Sequence, residues 1–163
     1  VGWSMGGLIA MLVAATRGVS ACVCLAPSMP ARVSDPSVPL RQGIFGSEEY
    51  GIVNGDLQNQ PAMPDLDIEE RAVALASLGK ESRLARDERR KGIIVEALDC
   101  PLLIATGTED TQWPPSRYAN LWLNADYLEV RGASHWGLVL NRRVLHTLIP
   151  AVLEWVDSHT KGG

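Results

Sequence analysis

Hydrophobic positions in this chain fall into blocks whose spacing changes. Residues 5–16 (MGGLIAMLVAAT) are apolar or small at nearly every place, which predicts a helix buried on most sides. Gly6, Gly7, Ala10 and Ala14 are small enough to let that helix lie close to a strand. Arg17 and Gly18 supply a cation in the last turn and a glycine after it. Residues 19–26 (VSACVCLA) form a short unbroken apolar run stopped by Pro27 and Pro30, the pattern of a buried parallel strand.

The pattern then breaks. Residues 28–92 hold many prolines and charges and no strand-like run. Helices are predicted over 68–78 and 81–90, separated by Gly79. The second lies within ESRLARDERRK, whose plain reading is a solvated charged face and whose minor alternative is a site for an acidic ligand. The stretch as a whole reads as an insertion. Regular alternation resumes with a buried strand over 101–106 (PLLIAT) and a loop over 107–113. Pro114 and Pro115 open a helix that runs to about Leu123. A third strand covers 127–130, and a loop covers 132–137. Asn141 is placed to cap a last helix with Val144, Leu145, Leu148, Ile149, Val152, Leu153 and Val156 on one face, and Pro150 is expected to kink it. Helices alternating with buried strands imply α/β architecture: a parallel sheet covered by helices, with reactive groups at the carboxyl ends of the strands.

Composition narrows the function classes. The 163 residues are 46% hydrophobic and 21% charged, with a net charge of −4. An acidic balance disfavours nucleic acid, whose phosphates need a basic face. No apolar run reaches the about 18 residues of a membrane span. Cys22, Cys24 and Cys100 make an odd set with no disulfide framework, so they read as reduced thiols, the first two as strand packing. With no secretion signal in the chain, a cytoplasmic location is the expectation. No metal-ligand cluster or phosphate loop is legible, so neither metal nor cofactor is expected, and the partner is a small molecule.

Three loops leave the carboxyl ends of the predicted strands, and each carries one chemical type. The first holds Ser4 in VGWSMGG, the second Asp110 in GTEDTQWPP, the third His135 in GASHWG. A serine hydroxyl needs a general base to act as a nucleophile, and the base needs a carboxylate to orient it. Each residue also has a plainer reading: a turn serine, an N-terminal cap for the Pro114 helix, a structural histidine. Glu109 is an alternative acid, one place off the motif. Asp99 and Asp126 precede strands and belong at the opposite end of the sheet. His146 and His159 fall in the last helix.

G-W-S-M-G-G followed by a small-residue helix resembles the nucleophile elbow of the α/β-hydrolase superfamily. GTED and GASH resemble that family's acid and histidine loops, in the same order along the chain. The resemblance implies a partial α/β-hydrolase fold, core residues 1–26 and 93–163 with a helical cap at 27–92. It also implies a serine hydrolase in which Ser4 attacks, His135 is the base and Asp110 orients it. The Met5 backbone N–H would then be one oxyanion donor. Such a chain would be the C-terminal part of a larger enzyme, starting at the end of its fifth strand, and inactive without the rest. Trp3, Trp113, Trp136 and Leu138 neighbour these positions and could line an apolar pocket or equally be core. An ester is the default substrate. Carbon–carbon hydrolysis, cofactor-free haloperoxidation and a non-catalytic binding role stay open.

Overall fold

A computed structural model describes residues 1–50, 52 and 55–160, apart from the Tyr50 side chain. Along the chain run β1 (Gly2–Trp3), α1 (Met5–Thr16), β2 (Cys22–Leu25), β3 (Ile44–Phe45), a 3-10 turn at Ser47–Tyr50, α2 (Ile68–Ser77), β4 (Glu81–Ser82) and α3 (Arg83–Lys91). There follow β5 (Leu102–Gly107), a 3-10 turn at Pro115–Tyr118, β6 (Asp126–Val130), α4 (Gly137–Leu140) and α5 (Arg142–Thr160). Four strands form one parallel sheet in the order β1-β2-β5-β6, with Gly2 opposite Cys24, Cys22 opposite Leu102 and Leu103 opposite Asp126. This is an α/β arrangement, a parallel sheet whose strands alternate with helices.

The unbroken apolar runs become the central strands because both faces are covered. Every residue of β5 is buried, as are Cys22, Val23 and Cys24 of β2. Cys22 and Cys24 share one face of β2, their sulfurs 3.7 Å apart, and pack with Leu8, Met11 and Ile104. The Cys24 thiol donates to the carbonyl of Gly7 at 3.4 Å. Its hydrogen bond with Cys22 and its burial push the Cys24 thiol well up, so it stays protonated.

Several expectations are corrected. Helix α1 is not covered on most sides: Gly7, Leu8, Met11 and Ala14 face the sheet, while Ile9 and Val13 are each 45% exposed. The helix expected from Pro114 to Leu123 is a single 3-10 turn. Tyr118 donates from its hydroxyl to Pro27 O at 2.6 Å and Trp122 from its indole to Val95 O at 3.0 Å. Two such anchors four residues apart draw the segment across the sheet edge rather than around a helix. The 28–92 stretch does contain extended structure, since β3 pairs antiparallel with β4. Helix α5 buries only Val144 and Leu148 fully, leaving Ile149 and Leu153 more than half exposed. It continues through Pro150.

The charged helix α3 is more than a solvated face. Asp87 is fully buried and takes Arg41 through Nε at 2.8 Å and Nη2 at 2.7 Å, a fork-on-carboxylate pair. Arg83 and Arg86 both bond Glu49. Residues 27–92 are also tied to α5. Asn141 donates to Asp65 O at 2.7 Å, and the Arg142 backbone N–H donates to Glu70 at 2.8 Å. Glu70 already closes a capping box with Asp67 at the start of α2.

Candidate active site

Ser4 stands between β1 and α1 with φ 55° and ψ −124°, a left-handed conformation that is strained for any residue but glycine. Neighbours hold it there. Its N–H donates to Leu25 O at 3.0 Å, and its carbonyl accepts from Gly7 N at 3.1 Å and Ser28 N at 2.9 Å. Although Ser4 is the residue before the helix, its hydroxyl makes no capping bond. The backbone does the work a cap serine does elsewhere and leaves Oγ for other use.

The glycines of the motif differ in purpose. A Cβ on Gly2 would sit 2.2 Å from the Gly6 carbonyl, and one on Gly7 would sit 2.6 Å from Pro27 Cβ. A Cβ on Gly6 meets nothing within 4 Å. The tight crossing of β1 under α1 therefore needs Gly2 and Gly7, while Gly6 contributes its carbonyl to the crowding.

Asp110 and His135 come together from the loops after β5 and β6. Asp110 Oδ2 lies 2.7 Å from His135 Nδ1. Asp110 Oδ1 accepts from the N–H groups of Gln112 at 2.9 Å and Trp113 at 2.8 Å. Both residues are buried, Asp110 2% and His135 7% exposed. Burial alone would push the Asp110 carboxyl up and is the largest single influence. The His135 hydrogen bond and charge together with the two amides outweigh it, so the net direction is down and the carboxylate is ionised. An ionised carboxylate only accepts, so the ring nitrogen that faces it, Nδ1, is one that carries a proton. The loops themselves are bound together: Glu109 N–H donates to Ala133 O at 3.0 Å, and a Cβ on Gly107 would sit 2.1 Å from that oxygen. Glu109 is exposed, and it is Asp110 that meets the imidazole. Asp126, the first residue of β6, is at the far end of its strand, bonded to Trp155 at 2.7 Å.

Ser4 and His135 line one cavity of about 340 Å³. Trp3, Met5, Trp113 and Trp136 are in its wall. Trp3 also fixes the histidine loop, donating from its indole to His135 O at 3.0 Å with its ring 5.0 Å from the imidazole. Leu138 is different: it is fully buried in the core with Ala105 and Leu148, away from the cavity. Its position in the first turn of α4 turns it inward. The cavity also takes residues that motif reasoning passed over. Ile52 and Leu78 come from the 27–92 stretch, as do Glu81 and Arg89 of the β4–α3 region. The signal in sequence was only the density of charge around Arg89. No group of three or more metal-ligating side chains occurs among the described residues.

A sequence model of the alpha/beta hydrolase family matches residues 1–146. A search of curated proteins finds no significant match. Among solved structures the chain is similar to polyneuridine aldehyde esterase, at 16% identity and a TM-score of 0.61, over 93% of this chain and 70% of that one. It is similar also to a monoacylglycerol lipase from Paleococcus ferrophilus, at 19% identity and a TM-score of 0.61, over 97% and 67%. The third is tomato methylketone synthase I, at 17% identity and a TM-score of 0.58, over 95% and 69%. At these identities the likeness is one of fold.

Proposed function

This chain belongs to the alpha/beta hydrolase family, and on that premise we propose that it is a serine hydrolase acting on an ester through Ser4, His135 and Asp110. The observation that carries the proposal is the 2.7 Å contact between Asp110 Oδ2 and His135 Nδ1, made behind a cavity that His135 shares with a strained Ser4.

The chemistry follows from the atoms. Nδ1 is committed to Asp110, so Nε2 takes the proton as Ser4 Oγ attacks the ester carbonyl. Asp110 stabilises the imidazolium so formed. The negative oxygen of the tetrahedral adduct is met by the N–H of Met5, the first residue of α1, whose N–H groups have no partner within the helix and sit at the positive end of its dipole. His135 then gives its proton to the leaving alcohol. A water deprotonated by Nε2 attacks the acyl-enzyme, and the acid departs as Ser4 regains its hydrogen. Residues 27–92 act as a cap over the cavity, and the indoles of Trp3, Trp113 and Trp136 give it an apolar wall.

Hydrolysis of p-nitrophenyl acetate and butyrate by the protein that carries this chain tests the proposal. Ser4→Ala and His135→Ala should each lower kcat by about 10³-fold or more. A Ser4→Ala variant that keeps the wild-type rate would falsify it.

A further inference from the structure

The residue before Ser4 is tied to His135. Trp3 closes β1, where it stands opposite Leu25, and the next residue, Ser4, donates its N–H to the Leu25 carbonyl at 3.0 Å. The backbone on the serine side is therefore held in the sheet. The Trp3 side chain leaves the sheet for the loop after β6 and meets two consecutive residues there. Its indole N–H donates to His135 O at 3.0 Å. Its ring lies 5.0 Å from the imidazole with the planes 34° apart, nearer to stacked than to edge-on. Trp136 completes the grip, its ring 4.9 Å from that of Trp3 and edge-on at 63°. His135 is thus held twice, by Asp110 at Nδ1 and by Trp3 at its backbone oxygen. Three tryptophans border the cavity, and Trp3 is the one whose indole N–H is bonded to His135.

We propose that Trp3 is a positioning residue for His135: its N–H fixes the backbone of the base against the strand that carries the nucleophile, and its ring stabilises the imidazolium that forms as Ser4 gives up its proton. This deepens the serine-hydrolase reading and rests on it. Two physical points support it. The first is geometric. A base displaced by about 1 Å loses on the order of 10²-fold in rate. The bond at Nδ1 fixes the ring to Asp110 but leaves the loop to be placed. A donor from the last residue of β1 places it, and because Trp3 and Ser4 are adjacent in the chain, one strand sets both the nucleophile and the base. The second is electrostatic. A cation within about 6 Å of an indole centroid is drawn to the negative face of the ring, and the 5.0 Å spacing lies inside that reach. A general base starts neutral and gains its charge only as it takes the serine proton. The attraction therefore grows on the way to the transition state, and an interaction that strengthens there raises kcat rather than substrate affinity.

Two substitutions test the inference in the protein that carries this chain. Trp3→Phe keeps a ring and loses the N–H, and Trp3→Leu loses both. Titration with an alkyl fluorophosphonate first counts the reactive serines, so a misfolded fraction does not enter the rates. With p-nitrophenyl acetate, kcat per reactive serine should fall about tenfold in Trp3→Phe and about 10²-fold in Trp3→Leu, with KM within about twofold of wild type in both. The extra loss in Trp3→Leu is the share of the ring. Capture of the fluorophosphonate needs the same base and should slow in the same order. A rise in KM with kcat unchanged overturns the inference and makes Trp3 a wall of the substrate site instead. So does a Trp3→Leu protein that turns over as fast as Trp3→Phe. Should Trp3→Leu fail to fold, Trp3→Phe decides alone: a lower kcat at constant KM sustains the inference, and an unchanged kcat overturns it. A wild-type protein whose Ser4 takes no fluorophosphonate overturns the hydrolase reading and this inference with it, and that result is seen before any Trp3 variant is made.

Discussion

Asp110 Oδ2 and His135 Nδ1 are 2.7 Å apart, and the two residues follow neighbouring parallel strands, β5 and β6. Adjacent strands end side by side, so loops after them meet without a long excursion. The Asp110–His135 bond is the product of that adjacency and of the glycine at 107 that lets the loops touch. Asp110→Asn keeps the size of the side chain but offers an amide to Nδ1 and so permits the wrong tautomer. We expect ester turnover to fall by about 10³–10⁴-fold and the melting temperature to fall as well, since the fold favours the ionised carboxylate. Steady-state kinetics and a thermal melt check both halves.

Ser4 is held at φ 55°, where a non-glycine residue is strained by about 1–3 kcal/mol. Ser4→Gly relieves that strain and loses part of the gain to the greater freedom of glycine in the unfolded chain. Its melting temperature should rise while hydrolysis disappears. A fall in melting temperature would mean that the elbow is not under strain.

The two glycines flanking the serine should respond in opposite ways to the same substitution. A Cβ at Gly2 runs into the Gly6 carbonyl, backbone that cannot give way without moving β1 or α1. Gly2→Ala should destabilise the fold by several degrees. Gly6 is exposed, in the first turn of α1, with open space at its Cβ, so Gly6→Ala should stabilise by about 0.5–1 kcal/mol. Paired thermal melts decide the matter.

Acid should weaken the fold within a defined range. The Arg41 hydrogen bonds hold the Asp87 carboxyl well below its ordinary range despite its burial. Asp110 is also held below it, as described above. A lowered folded-state value means that the unfolded chain binds more protons once pH drops below about 4. The stability these two groups add is complete above that pH and is lost as pH falls through their folded values. Urea midpoints should therefore be steady in this respect from neutrality to about pH 5 and decline below pH 4. Asp87→Asn should flatten the decline.

Asn141 performs two tasks with one side chain. Its Oδ1 caps α5 by accepting from Arg143 N at 3.0 Å and Val144 N at 3.2 Å, while its Nδ2 donates to Asp65 O. Asn141→Ala removes both and should cost about 2 kcal/mol. Asn141→Ser keeps an oxygen for the cap but cannot reach Asp65 as well, so it should recover part of the loss. Chemical denaturation of the three proteins measures the split.

Local chemistry determined what the sequence could show alone. Helix α1 runs over Met5–Thr16 as its small apolar residues predict, and the runs before Pro27 and after Cys100 became the buried strands β2 and β5. Ser4, Asp110 and His135 were legible because each sits a few residues past a strand, where the period of the chain breaks. Asn141 was legible as a cap because a cap is a contact within three residues. Tertiary structure decided the rest, and the reason is distance along the chain. Tyr118 finds Pro27 across 91 residues and unwinds a helix that two prolines begin. Asp87 is buried because Arg41 lies 46 residues away, which no charge pattern within α3 reveals. Leu138 and Trp136 are two residues apart, yet the turn of α4 sends one into the core and leaves the other at the cavity. Arg89 reads in sequence as one more surface charge. It stands in the cavity wall with its Nη1 on the Oγ of Ser28, 61 residues before it.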